Sequence, residues 1–305
     1  MVCILKNAGS RARDAWPLAN TNTIGIIALD TSEPKHTEAA QAAIGRDNLV
    51  TLGALGILAY VASMMTHEAL GHGALCIVAG GRNVMLTGWG EACDLHPVPI
   101  GITAAGPALQ FGAGLLTWLV LRQLTPGRHM VQRSFLWLYM VCGLFISSSY
   151  VAFSGLTNFG DSATIIAGFS PPWLWRTLLV VFGAVAYYLS MWVAAFELRR
   201  IVGNDDDQRL RNFLWVAYLA IGLLACCAGA LNRTMPPRVA LELAALTSFG
   251  SGFGMVRLPD LLHHMATQTA LRLPYLRWSL PWVLGAAVAG ALFVLVLGPG
   301  IGARS

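Results

Sequence analysis

The chain has 305 residues, of which 56% are hydrophobic and only 11% charged, with a mean hydropathy of +0.60. A soluble domain carries about 25% charged residues, so this composition excludes a water-soluble surface and places the chain in a lipid bilayer. The net charge of +5 does not point to nucleic acid: the basic residues fall mainly in short connections between apolar runs, where they serve as topology signals and headgroup contacts, and no basic stretch is interleaved with aromatics.

Residues 1 to 47 are polar and mixed in charge, and they read as a loosely ordered arm. Their apolar patch, Ile24–Leu29, is far below the roughly 18 residues needed to span. With Asp14 before it and no basic start leading into an apolar region, it is not expected to be a signal peptide. From Leu49 the chain turns apolar, with expected spans at 49–79, 100–122, 134–153, 173–197, 212–231, 240–256 and 279–298. The sixth contains Glu242 and several glycines, which leaves the count at six or seven. The expected fold class is an all-α polytopic, multi-pass integral membrane protein. Residues 48–170 are expected to form the core that carries the site, and 171–305 to supply additional transmembrane helices.

Between the first two spans, Gly80–Pro99 changes character. Gly80-Gly81 ends the first helix, β-formers and glycines follow over Asn83–Gly90, and Pro97 and Pro99 precede the next span. This predicts a short hairpin or re-entrant segment, a backbone tolerated at membrane depth only where protein or a wet cavity surrounds it. If the helices alternate, Arg122, Arg128 and Arg133 share a side with Arg199, Arg200, Arg209 and Arg211. The opposite side has Arg82, Arg176, Arg233 and Arg238, so the first set is expected to be cytoplasmic.

The six cysteines include no CxxC pair, so neither a disulfide framework nor a cysteine zinc site is expected. Cys93 stands as a lone thiol, a ligand or inhibitory switch of low specificity.

Polar chemistry inside an apolar helix is the strongest signal in the chain. His67, Glu68 and His72 lie in the C-terminal half of the first span, where a central charge costs roughly 2.5–3.5 kcal/mol to insert. Zn2+ is a suitable partner for two imidazoles, and a glutamate beside one of them is placed to act as general base. The metalloprotease spacing is HExxH, with histidines at i and i+4. Here they stand at i and i+5, roughly 140° apart on an ideal helix of 100° per residue. A single π-bulge absorbs the extra residue, and Gly71 eases it. The alternative is a pair of buried histidines hydrogen-bonded to neighbouring helices.

With these residues in view, the chain resembles the site-2-protease family of intramembrane zinc metalloproteases. His67–His72 resembles that family's HExxH helix with one residue inserted, and the hairpin-like segment resembles the family's connection after the zinc helix. Ala105-Gly106-Pro107-Ala108-Leu109-Gln110 resembles its AGPxxN motif, with Gln110 in place of Asn. The likeness is closest over residues 60–122. It implies an aspartate as third zinc ligand on a later core helix, and Asp161, within Thr157-Asn158-Phe159-Gly160-Asp161, is the residue offered, although no LDG surrounds it. The competing reading is that Asp161 caps a helix beginning at Ser162. Glu91, Asp94 and His96 are nearer in sequence but read as headgroup-boundary residues, as do His263 and His264.

The expectation is therefore a zinc-dependent intramembrane endopeptidase. Zn2+ would be held by His67, His72 and Asp161, with Glu68 as general base and Gln110 and Asn158 touching substrate. The substrate would be a transmembrane or membrane-proximal protein segment, with the lipid bilayer as the other partner. Two other classes compete: a non-catalytic membrane binding or scaffold protein on the same fold, and a proton- or metal-coupled transporter. In bacterial members of the family the zinc end of the first core helix lies nearer the cytoplasm. The arginine distribution here puts it on the opposite side.

Overall fold

Among the described residues, seven helices are long and apolar enough to cross a membrane, and they follow the apolar runs of the sequence. In the computed structural model the described residues are 45–125, 128–203, 206–264 and 273–302. The arm expected over residues 1 to 47 therefore lies outside them, except for its last three positions.

The spans are α1 (Leu49–Val78), α2 (Ile100–Gln123), α3 (Met130–Thr157), α5 (Pro172–Val202), α6 (Asp207–Ala230), α7 (Pro237–His264) and α8 (Leu280–Leu297). A short helix, α4 (Asp161–Ile166), lies between α3 and α5. Local chemistry sets several starts. Asn48 caps α1 by accepting from the Thr51 amide at 2.9 Å, and Asp206 caps α6 by accepting from the Arg209 amide at 2.9 Å. Proline opens both α5 and α7, at a position where its missing N–H is not needed. α1 has 30 residues, about 45 Å at 1.5 Å per residue. That exceeds a hydrocarbon core of about 30 Å. The sixth span, whose sequence left the count open, is helical throughout, with a π segment at Leu246–Gly250.

α1 and α3 are the most enclosed spans, whereas α5 and α8 leave most of their surface to lipid. Small residues allow close approach where helices cross, as expected when lipid removes the hydrophobic drive between them. Gly183 of α5 sits directly on the backbone of α3 at Ala152, and Gly56 of α1 sits on Ala217 of α6. Helices on both sides of residue 170 thus share one core.

The segment after α1 is a hairpin. Gly80 has φ 87°, and the amides of Gly80 and Gly81 bond the carbonyls of Ile77 and Cys76. This is the Schellman arrangement, which requires a left-handed residue and so selects glycine. Strands β1 (Asn83–Leu86) and β2 (Glu91–Cys93) then pair antiparallel, and β3 (Ile301–Gly302) pairs with β1 on its other side. Among the described residues the outer edge of β2 has no strand partner.

The hairpin turn is driven into the helix bundle by Trp89. Its indole N–H donates to Thr247 Oγ1 at 3.0 Å and to the Tyr60 hydroxyl at 3.3 Å, and its ring meets Phe293 edge-on. α1, α7 and α8 therefore hold the turn together.

No disulfide is expected from the sequence, yet the fold contains one. Cys76, at the end of α1, and Cys93, in β2, form a disulfide with a Cα–Cα distance of 5.9 Å. Cys93 is not a lone thiol. The pairing was not visible in spacing because the 17-residue separation closes only when β2 folds back over the end of α1.

Candidate metal centre

The centre is built by one departure from α-helical geometry. Residues Thr66–Gly73 of α1 form a π-helical stretch, and the Ala74 amide reaches back five residues to the Ala69 carbonyl. Positions five apart therefore fall on one face. The rings of His67 and His72 stand 5.0 Å apart, centroid to centroid. His67, Glu68 and His72 are all buried.

Asp161 comes from the far side of the site. α3 ends at Asn158, which adopts the left-handed conformation (φ 57°), and Gly160 (φ 89°) completes the reversal. Gly160 also lies against the Tyr150 hydroxyl, where a side chain would not fit. Asp161 becomes the first residue of α4, with Gly160 in the cap position. Its carboxylate turns toward α1: Oδ2 lies 3.1 Å from His67 Nε2 and 3.3 Å from His72 Nε2.

The outer nitrogens of both rings are committed elsewhere. His72 Nδ1 lies 2.8 Å from the Ile102 carbonyl, and His67 Nδ1 lies 3.0 Å from Gln110 Oε1. A carbonyl only accepts, so His72 Nδ1 carries the proton. Gln110 Nε2 donates to the Ser63 carbonyl and hydroxyl at 3.2 and 3.0 Å. That fixes Oε1 toward His67 and makes His67 Nδ1 a donor too. In neutral imidazoles both Nε2 atoms then present lone pairs to an anionic oxygen. Three electron-pair donors within 4.8 Å of one another require a cation between them, either protons on the rings or a metal ion. Two imidazoles and a carboxylate, each ring oriented through its second nitrogen, form a donor set that zinc accepts.

α2 makes room for this cluster. Gly106 lies over both histidines, so that a Cβ would run into His72 Nε2 and His67 Nε2. Gly71 of α1 faces the Gly106 backbone in turn. The sequence element Ala105-Gly106 thus marks a point where the backbones of the two helices lie close together.

A cavity of about 390 Å³ opens beside the cluster, and Glu68, His72, Glu91, Tyr150 and Asp161 are among its lining residues. All three residues of β2 border it. A second cavity, of about 660 Å³, adjoins it at Trp89, Tyr150 and Asp161 and includes Asn158. The side chain of Asn83 ties the hairpin to the π segment. In the amide orientation that matches donors to acceptors, it donates to the Gly73 carbonyl at 3.2 Å and to Glu91 Oε1 at 2.7 Å. Partial burial pushes the Glu91 carboxyl up, partly offset by His72. The backbone and side chain of Arg82 hold Asp94 below the usual carboxylate range.

Of the residues singled out in the sequence, the fold brings His67, His72 and Asp161 together, with Glu68 and Asn158 on adjoining cavities. Gln110 is buried behind His67, where it also accepts from the Ser147 hydroxyl at 2.9 Å. Its amide is spent on the ring and on two serines, not on the cavity. Asp94 pairs with Arg82 at 2.9 Å, and His263 lies near Asp207 at 4.0 Å, both away from the cluster. Tyr150 escaped the sequence reading although its ring stands 6.0 Å from that of His67 and it borders both cavities. The run Ser147-Ser148-Ser149-Tyr150, polar within an apolar span, was the signal available. Comparison with protein-family models, with curated proteins and with solved structures finds no match to this chain.

Proposed function

We propose that the chain is a zinc-dependent intramembrane endopeptidase, which hydrolyses a peptide bond in or near a transmembrane segment. The observation that carries this reading is the convergence of His67 Nε2, His72 Nε2 and Asp161 Oδ2, with both Nδ1 atoms already donating elsewhere. Bound there, zinc would supply Lewis acidity toward water and the scissile carbonyl. Glu68, next to a ligand and on the same cavity, accepts the proton of the attacking water and returns it to the leaving amine. Gln110 and the Ile102 carbonyl keep the two rings in the tautomer that leaves Nε2 available. The open edge of β2 offers main-chain hydrogen bonds to an extended substrate segment, which is the conformation that hydrolysis requires. The resemblance to the site-2-protease family over residues 60–122 supports the same reaction class.

The test is the metal content of detergent-purified protein, together with proteolysis. About one zinc per chain is expected in the wild type, lost in His72→Ala and Asp161→Ala and kept in Glu68→Gln, which no longer cleaves. A well-folded wild type without zinc overturns the reading. Zinc retained with no difference in proteolysis between wild type and Glu68→Gln favours a binding or scaffold role.

A further inference from the structure

We propose that the metal centre opens on the extracytoplasmic side of the membrane. Resting on the hydrolytic reading above, we further infer that its substrate is the extracytoplasmic end of another protein's transmembrane segment. Two independent observations fix the side. The first is charge. Seven alternating spans put the hairpin, α4 and the α6–α7 connection at one end of the bundle, and the α2–α3 and α5–α6 connections at the other. Contacts agree with this division: Gly300 lies beside Thr234 and Thr87 at the first end, while Asp47 pairs with Arg209 at the second. Among the described residues, four arginines belong to the hairpin end (Arg82, Arg176, Arg233 and Arg238) and ten to the opposite end. Setting aside Arg133 and Arg209, which are buried there, eight still stand against four. Cytoplasmic ends carry the excess of arginine.

The second observation is the Cys76–Cys93 disulfide, which lies at the arginine-poor end. Disulfides form and persist in oxidising, extracytoplasmic compartments. Neither observation depends on the other, and they select the same side. The bond is also placed to matter for the site. Cys76 follows His72 by about one helical turn, and Cys93 borders the cavity of the metal centre. The oxidising compartment thus pins the open strand edge to the helix that carries both histidines.

Depth narrows the substrate. His72 lies six residues before the end of α1 and His67 eleven, no more than about 9 and 17 Å along the axis at the α-helical rise of 1.5 Å per residue. The centre therefore faces the outer part of the bilayer, where a transmembrane segment can unwind into an extended strand near water.

Two measurements on the full chain, expressed in the plasma membrane of bacterial cells, test this. The first is labelling of intact cells with a membrane-impermeant maleimide. Gly168→Cys, in the exposed connection after α4 where a side chain meets nothing, should react. Thr125→Cys, at the opposite end, should react only after detergent permeabilisation. Cys76 and Cys93 should stay unlabelled in denatured protein until a reductant is added. Reversed labelling, or free thiols at 76 and 93, overturns the assignment of side whatever the activity. The second measurement maps new protein termini in the membrane proteome, comparing wild type with Glu68→Gln. Termini clustered at extracytoplasmic ends of transmembrane segments support the substrate class, and clustering at cytoplasmic ends overturns it. No new termini, with labelling as expected, overturns the hydrolytic reading and the substrate class with it, and leaves the side established.

Discussion

Gly106 of α2 lies against His72 so closely that a single added methyl group would occupy the space of the ring's Nε2 atom. The same methyl would press on His67 Nε2. The glycine is therefore what allows two imidazoles and a carboxylate to share one point between two packed helices.

Gly106→Ala is expected to reduce zinc affinity at least tenfold, since either ring must swing away from Asp161. Gly112→Ala, on the same helix but with open space around it, should leave metal binding unchanged and stabilise slightly, because alanine is the better helix former by up to about 1 kcal/mol. Competition titration against a chromophoric chelator checks both. Equal affinity in Gly106→Ala and wild type would remove the steric argument.

Gln110→Leu deletes the acceptor for His67 Nδ1 and leaves Ser63 and Ser147 without their amide partner. Loss of such an orienting group typically costs 10- to 100-fold in metal affinity. The expected result is weaker zinc binding with the ligands intact. A substrate-contacting role for Gln110 predicts the contrary pattern, namely unaltered zinc binding with altered cleavage, so the two measurements together decide between the roles.

Cys93→Ser removes a cross-link across 17 residues, worth about 3 kcal/mol for a loop of this size. The hairpin should become protease-sensitive, and the thermal midpoint in detergent should fall. Cys227→Ser, at an exposed free cysteine, is the matched control. Identical midpoints for the two variants would show that Trp89 and the strand pairing hold the hairpin without the disulfide.

At the other end of the bundle, Arg209 donates to both Asp47 oxygens at 2.7 and 3.1 Å, with both side chains buried. Removing one partner of such a pair leaves a buried charge and costs about 3–5 kcal/mol. Arg209→Met is expected to show a loss of this order in thermal unfolding. Adding Asp47→Leu should recover part of it, because the uncompensated carboxylate is then gone. A double variant less stable than the single would contradict this. Zinc stoichiometry should be unaffected in the folded fraction, since the pair lies at the end of α1 away from the histidines.

Six of the spans were legible because each is a continuous apolar run, and length with composition alone decides whether such a run can cross a bilayer; α7 stayed open in the sequence because Glu242 and several glycines interrupt its run. The end of α1 was legible because Gly80-Gly81 is a local requirement of the Schellman turn. His67, Glu68 and His72 stood out because ionisable groups in an apolar helix are costly, and the five-residue spacing by itself called for the π turn that the fold adopts. Distant pairings were not legible in this way. Nothing local to Asp161 tells a helix cap from a carboxylate aimed across 94 positions at His67. Nothing local to Gln110 says whether its amide faces a cavity or the back of an imidazole. Cys76 and Cys93 lack any recognised spacing and meet only because β2 folds over the end of α1. Hydrophobic periodicity and turn chemistry act over a few residues, so they specify which segments form. Which side chains converge is decided by how those segments pack, and that depends on the whole bundle.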